Sequence, residues 1–462
     1  MIVPTYHVVL RAGPADAFTV APFSSAHVVN ILMDGAQGPD EWRLDSSVWE
    51  QLAEANVDPG QTATDFFRFA TAAYCADLLI PHRTAFDRWS RDIVLYVPVA
   101  KVGRWRAAER ELQELLGFLT GDHWRLVFRA EHVAPPPVDD RRRGQRDPLS
   151  ARRVSLLSGG LDSAIGAVDL LRGGHRVAFV SHNAKSGGAV FSSPSQQAVC
   201  SALAQEFGSD NMQHFRFRMN PPARVPGVTE SVTTTRSRSI MFFALGLLVA
   251  SGLDAANGSG PVPLVVPENG LISLNVPLTW ARLGSWSTRT THPHTLATLR
   301  TALAHLGIAT PLQTPYATST KGEMLADCLR RGRALVKKVT AATVSCAHPN
   351  QSRFLPVERR KPHCGTCVPC IIRRAATQHA GVDDGEYGFD LPREIRILQR
   401  RRSADARAFI FALERRHRPT RPLDLNVSGP LHVESDEELR ALLRVYDAGM
   451  DEVARHLGMA TG

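Results

Sequence analysis

The chain has 462 residues, 44% of them apolar and 21% charged, a balance that excludes a disordered chain and leaves room for two or more cores. Its 54 lysines and arginines outweigh 45 aspartates and glutamates for a net charge of +9, which favours anionic partners such as nucleotides or phosphate. Lysine stands only at positions 101, 185, 321, 337, 338 and 361, so arginine supplies almost all of that charge; scattered arginine reads as a solvated surface, and tRNA is not an expected partner.

The opening stretch, MIVPTYHVVLRAG, has no basic segment followed by a long apolar core. The longest apolar run, IMFFALGLLVASGL (240–253), is shorter than the roughly 20 residues of a membrane span. The expectation is a cytoplasmic protein without a membrane segment, in which the seven cysteines are reduced and any cluster of them is a metal site.

Residues 1–135 read as an N-terminal α/β accessory domain: DIVLYVPVA (92–100) alternates as a strand, GRWRAAERELQELLGFLTG (103–121) has the helical period, and HWRLVFRA (123–130) returns as a strand. No catalytic pattern appears there. Residues 136–152 concentrate proline and opposing charges and read as a linker. From 153 to 345 the elements alternate: strand 154–157, a helix from about 163, strand 176–183, helix 194–207, strand 214–219, helix 237–252 and strand 263–268. That order predicts parallel βαβ units in a doubly wound α/β sheet with helices on both faces. A cysteine-bearing segment (346–375) and a C-terminal region (376–462) of two or three amphipathic helices complete the expected fold.

Within the doubly wound region, RRVSLLSGGLDSAIGAVDLL (152–171) runs from a strand through Ser158-Gly159-Gly160-Leu161-Asp162-Ser163 into a helix. Glycines free the backbone to turn, and bare N–H groups at the helix start, reinforced by its dipole, attract an anion such as a nucleotide's phosphates. The plain alternative is a tight turn with Asp162 or Ser163 as an N-cap. Neither G-x-G-x-x-G nor the Walker lysine motif is present here.

In TTTRSRS (233–239), Arg236 and Arg238 stand at the mouth of a sheet helix, where guanidinium groups can grip an α-phosphate or a carboxylate; a solvated helix start is the other reading. PENGLISLN (267–275) offers Glu268 and Asn269 at a strand's carboxyl end, where open sheets bind ligands and where a plain turn also fits. STKGE (319–323) carries Lys321, and the same letters describe a capped helix start with Ser319 or Thr320 as cap and Glu323 in the first turn. His292 and His294 lack a third ligand and read as structural. Cys75, Cys200 and Cys328 read as core residues.

HCGTCVPC places Cys364, Cys367 and Cys370 at C-x-x-C-x-x-C spacing, and Cys346 in VSCAHPN precedes them as a fourth thiolate. Four convergent sulfurs match tetrahedral Zn²⁺ in a closed, structural site. A three-cysteine iron–sulfur cluster is the competing reading.

Taken together, Ser158–Ser163 and the stretches ESVTTTRSRSIMFFALG (230–246), PENGLISLNVPL (267–278) and TPYATSTKGEML (314–325), followed by the cysteines, resemble the PP-loop ATP pyrophosphatases, and within them the QueC group of 7-cyano-7-deazaguanine synthases. The resemblance spans roughly 153–375. The added N- and C-terminal regions are similar to those of the enlarged QueC-like proteins of bacterial anti-phage defence systems, the QatC kind. It implies a PP-loop (HUP-like) fold and a carbon–nitrogen ligase using ATP, Mg²⁺ and Zn²⁺. Ser158 to Ser163 would hold ATP, Asp162, Arg236, Arg238 and Lys321 would carry catalysis, and Glu268 and Asn269 would meet a 7-deazapurine carboxylic acid. The implied zinc ligands are Cys346, Cys364, Cys367 and Cys370, although the interval between the first two is longer here than in the usual enzyme. A protein partner from the same defence operon is a further expectation. The alternatives are a PP-loop tRNA-modifying enzyme and a non-catalytic ATP-binding scaffold of a defence complex.

Overall fold

The computed structural model describes residues 5–13, 15–20, 26–33, 41–131, 143–144, 150–183, 185–186, 189–190, 193–220, 236–257, 260–280, 289–383, 385–398, 400–416 and 421–460. Most of the 136–152 linker, and residues 230–235 ahead of the two arginines, lie outside them.

The N-terminal region forms a parallel sheet from β1 (Thr5–Arg11), β2 (Ala26–Leu32), β3 (Glu41–Arg43), β5 (Asp92–Val99) and β6 (His123–Ala130), in the order β3-β2-β1-β5-β6. Its helices are α1 (Val48–Glu54), α2 (Gly60–Leu79), α3 (Val102–Ala107) and α4 (Glu109–Thr120). The helix expected over 103–121 is two helices with a break at Ala108, a fully buried residue. Helix α2 is buried on every side from Ala63 to Asp77, with Phe66, Phe67 and Phe69 fully enclosed and Asp65, Arg68 and Asp77 buried among them.

A second parallel sheet follows: β7 (Arg153–Leu156), β8 (Val177–Asn183), β11 (Met212–Asn220), β12 (Leu264–Val265) and β13 (Leu312–Gln313), with a small hairpin of β9 (Lys185–Ser186) and β10 (Ala189–Val190) beside it. The strand order is β13-β12-β7-β8-β11. Chain progression therefore runs one way from β7 to β8 and β11, then reverses to β12 and β13, which creates a topological switch between β7 and β12.

Both faces are buried. Ala178 and Val180 face a core shared with α2 and α7 (Arg238–Asn257), while Val177 and Phe179 face a second core with α5 (Leu161–Arg172), α6 (Ser193–Phe207), α10 (Lys321–Arg330) and α11 (Arg333–Ala342). Alternate residues of a strand point to opposite faces, so helices cover both sides of this sheet as expected.

The N-terminal region is not a detached module. β4 (Asp45–Ser46) pairs antiparallel with β11 and extends the second sheet, and one hydrophobic core runs continuously from the N-terminal sheet through α2 into α7. Burial of each large apolar side chain there contributes about 1.5–3 kcal/mol. α8 (Gly270–Leu274) and α9 (Pro293–Leu306) lead into the last β-strand. The C-terminal region adds α12 (Val368–His379), α13 (Leu391–Glu394), α14 (Ala404–Arg415), α15 (Arg421–Asn426) and α16 (Asp436–His456), which pack with α8 as a third core. Among the described residues no helix is long and apolar enough to cross a membrane.

Candidate active site and metal centre

At the end of β7 the chain turns through Gly159 at φ +84°, a conformation that side-chain-bearing residues rarely adopt; a Cβ there would also lie 2.5 Å from Ser195 Oγ. The N-cap of α5 is Gly160, with no side-chain capping bond. Neither Asp162 nor Ser163 caps the helix: Ser163 Oγ donates back to Gly160 O (3.0 Å) and lies 3.1 Å from Ser158 Oγ, while Gly160 N donates to Ser158 Oγ (3.2 Å). Across the turn, Gln196 Nε2 of α6 donates to Ser158 O (3.4 Å) and His182 O (3.3 Å).

Asp162 turns away from the helix start toward β12. Its Oδ1 pairs with Lys321 Nζ at 3.0 Å, and its Oδ2 accepts from Asn269 Nδ2 at 2.7 Å and Asn269 N at 3.3 Å. The sequence stretches around 162, 269 and 321 thus meet outside the carboxyl ends of β7 and β12, at the switch point. Asn269 is fully buried with both amide ends engaged, since its Oδ1 caps α8 by accepting from Ile272 N (3.1 Å). Glu268 accepts from Thr291 Oγ1. Burial raises its carboxyl to about 7, the nearby Asp162 charge adding to the rise and Thr291 and Lys321 opposing it.

The helix-start reading of the Lys321 segment holds. Thr320 caps α10 by accepting from Glu323 N (3.0 Å), and Glu323 Oε2 accepts from Thr320 N (2.8 Å), a complete capping box; the ammonium group still reaches Asp162. A residue that the sequence did not announce supports this start. Glu452 of α16, almost fully buried, accepts from Thr320 Oγ1 and from Gly322 N (3.3 Å). Burial raises its carboxyl to about 7. A raised folded pKa stabilises the fold fully below the unfolded value and loses that contribution as pH climbs through about 7. The expected result is that the stability advantage of wild type over Glu452→Gln shrinks between pH 5 and pH 8 in urea titrations; a constant difference would count against it.

The described contacts of the two arginines are with aromatic rings and histidines. Arg236 stacks on Trp89 (4.8 Å) and contacts His82 Nε2 (2.8 Å), both in the N-terminal region. Arg238 lies over Phe242 (5.1 Å) with its Nε 3.5 Å from His182 Nδ1, and His182 is enclosed edge-on by Tyr74 and Phe242. Between them Ser237 donates through N (3.1 Å) and Oγ (2.6 Å) to Asp77 Oδ2 of α2. Among the described residues Arg238 is linked to the turn through His182 and the Gln196 amide, and Arg236 packs against Trp89 and His82.

His292 and His294 have structural roles. His292 caps α9 by accepting from His294 N (3.1 Å), and His294 stacks on His432 with 2.8 Å between ring nitrogens. Cys75, Cys200 and Cys328 are buried, and burial pushes each thiol up to about 12.

Cys346, Cys364, Cys367 and Cys370 converge, all four sulfurs within 4.8 Å of one another despite the long interval after Cys346. Tetrahedral Zn–S bonds of about 2.3 Å imply S···S separations of about 3.8 Å, and the Cys364–Cys370 pair stands at 3.8 Å. Gly365 makes the turn possible at φ +82°, with Phe389 O only 2.3 Å from where a Cβ would sit. Cys364 Sγ accepts from Thr366 N and Cys367 N at 3.4 Å, and Cys346 Sγ from His348 N at 3.3 Å, bonds that favour thiolates. The cluster fits a four-thiolate ion such as Zn²⁺. Elemental analysis is expected to give about one zinc per chain, no visible iron–sulfur absorption, and a clear zinc deficit in Cys370→Ser but not in Cys75→Ala.

Neither models of known families nor curated proteins give a match to this chain.

Proposed function

We propose that the protein is an ATP-dependent carbon–nitrogen ligase of the PP-loop, QueC-like kind, which adenylates a carboxylate and passes the acyl group to an amine. The observation that carries this reading is the Lys321–Asp162–Asn269 constellation beside a glycine turn at the switch point of the sheet. Switch points are where open α/β sheets bind ligands, and a helix start without a side-chain cap is a seat for phosphate.

In this reading the Ser158–Ser163 turn grips the β- and γ-phosphates. The substrate carboxylate attacks the α-phosphorus, the bond to the bridging oxygen breaks, and pyrophosphate leaves. An amine then attacks the acyl adenylate, releasing AMP and a proton to form an amide. Asp162, a hard oxygen donor, would be the residue to hold a Mg²⁺ ion, which would supply charge neutralisation. The chain's own tasks are alignment and charge compensation, performed by backbone N–H groups and Lys321. Glu268, whose carboxyl is raised by burial to about 7, would be able to exchange a proton with an attacking amine near neutral pH.

The substrate assigned by resemblance is 7-carboxy-7-deazaguanine, with amide or nitrile as product, in an anti-phage setting in which a partner protein's terminus is the candidate amine. Incubation with ATP, this acid and ammonia is expected to yield AMP and pyrophosphate in equal amounts; ADP as the nucleotide product would sink the reading. Intact masses of proteins encoded beside it, taken after the same incubation, test the conjugating version. Absence of any adduct would leave the small-molecule reaction alone.

A further inference from the structure

Two hydrogen bonds join the segment before Cys346 to the glycine turn. Ser345, which precedes Cys346, accepts from Leu161 N (3.4 Å), the first amide of α5, and from Arg373 Nη1 (3.4 Å). Arg373 lies on α12 three residues beyond Cys370 and is fully buried, donating also to Thr343 Oγ1 (2.6 Å) and Thr340 O (2.9 Å). Val344 N donates to Gly159 O at 3.0 Å. The segment 343–346 is thereby laced to the turn at Gly159 and Leu161 and to α12 through Arg373.

We infer that the cysteine centre and the turn are thermodynamically coupled through Ser345 and Arg373, so that metal loading raises affinity for nucleotide phosphates and Ser345 is a positioning residue of the phosphate site. A hydroxyl has two acceptor positions and one donor proton. With Leu161 N–H and the Arg373 guanidinium occupying the former, the Ser345 proton is left for an acceptor above Gly160, whose Cβ position lies 3.9 Å from the oxygen. The same arrangement links the buried Arg373 charge to the turn through Ser345.

Metal holds both ends of this lace, since Cys346 fixes the residue after Ser345 and Cys370 fixes the first turn of α12. Without metal, the loop closed by the ion regains its freedom, and the two hydrogen bonds to the turn loosen with it. Linkage is reciprocal: a factor gained in nucleotide affinity on loading zinc equals the factor gained in zinc affinity on binding nucleotide, commonly 5- to 150-fold.

The inference rests on the nucleotide reading for its ligand but not for its structural half, so the test has two readouts on the full chain. Amide hydrogen exchange across 156–164 is measured without nucleotide, before and after zinc removal, with 5–11 and 92–99 as reference peptides. Equilibrium dialysis then measures affinity for α,β-methylene-ATP. Zinc removal is expected to speed exchange at the turn selectively, Ser345→Ala to keep about one zinc yet bind the analogue roughly tenfold more weakly, and Ser345→Thr to restore binding. Unchanged exchange at the turn on zinc removal, or wild-type affinity in Ser345→Ala, overturns the coupling. Where removal unfolds the reference peptides too, zinc-replete Ser345→Ala decides by exchange at Leu161. Faster turn exchange in a protein that binds no analogue upholds the coupling and instead discards the nucleotide reading.

Discussion

Asp162→Ala is expected to lower pyrophosphate release by at least 10²- to 10³-fold, the range seen when one preorganised charge-stabilising group is lost. Asp162 pairs with Lys321 at 3.0 Å, and both side chains are nearly buried, at 12% and 7% exposure. Removing the carboxylate strands the ammonium without its counter-charge and frees Asn269, whose amide holds both Asp162 and the start of α8. Because the two charges act as a unit, Lys321→Ala is expected to cost about as much, and the double variant little more than either single. Asp162→Asn can still accept from Asn269 but also leaves Lys321 without its counter-charge, and it is expected to lose stability relative to wild type and to remain inactive. Pyrophosphate and AMP assays on the four proteins supply the cycle; additive losses, or a tenth of wild-type rate in Asp162→Ala, would refute the shared role.

How far this site could be read from the letters depends on the range of each contact. Gly159, Gly160 and the capped start at Thr320 are local features, and backbone geometry alone marks them. The alternation of strands and helices was legible for the same reason, since buried apolar runs such as 177–180 carry their own period. The ends of elements were less so: α5 begins at Leu161, ahead of the expected 163, because Asp162 is drawn to Lys321 and Ser163 bonds back to Gly160, leaving Gly160 as cap.

Contacts between distant segments left no mark in local sequence. Nothing in EVARH announces that Glu452 will hold the start of α10, 130 residues upstream. Nothing in VSCAHPN says that Ser345 will meet Leu161. The accessory domain was readable as α/β, yet its two-residue strand Asp45–Ser46, too short to show alternation, is what splices it into the second sheet. Arg236, expected to grip an anion, has its guanidinium on the Trp89 face and against His82, a contact with the ring quadrupole that no local pattern announces.

The splice between the two sheets has a polar counterpart, and cutting it is expected to be the most destabilising single change away from the metal centre. Arg91 is fully buried between Asp77 and Asp122, at 2.6 Å from each, and also donates to the carbonyls of Asp77 (3.0 Å) and Ile80 (2.6 Å) at the end of α2. Asp77→Ala leaves that guanidinium short of one counter-charge in a dry site, and breaking such a pair costs about 3–5 kcal/mol. It also removes the acceptor for both Ser237 N and Ser237 Oγ, the residue standing between Arg236 and Arg238. Stability and positioning can be separated by replacing the charges together. Asp77→Leu with Arg91→Met and Asp122→Leu is expected to regain much of the stability, because apolar residues of similar volume commonly substitute for a buried ion cluster without loss. It is not expected to restore the Ser237 hydrogen bonds, so faster amide exchange across 236–240 than in wild type should persist in the triple variant after its urea midpoint has recovered. A triple variant that recovers both would reduce Asp77 to a purely structural role, and an Asp77→Ala protein within 1 kcal/mol of wild type would refute the buried-pair argument itself.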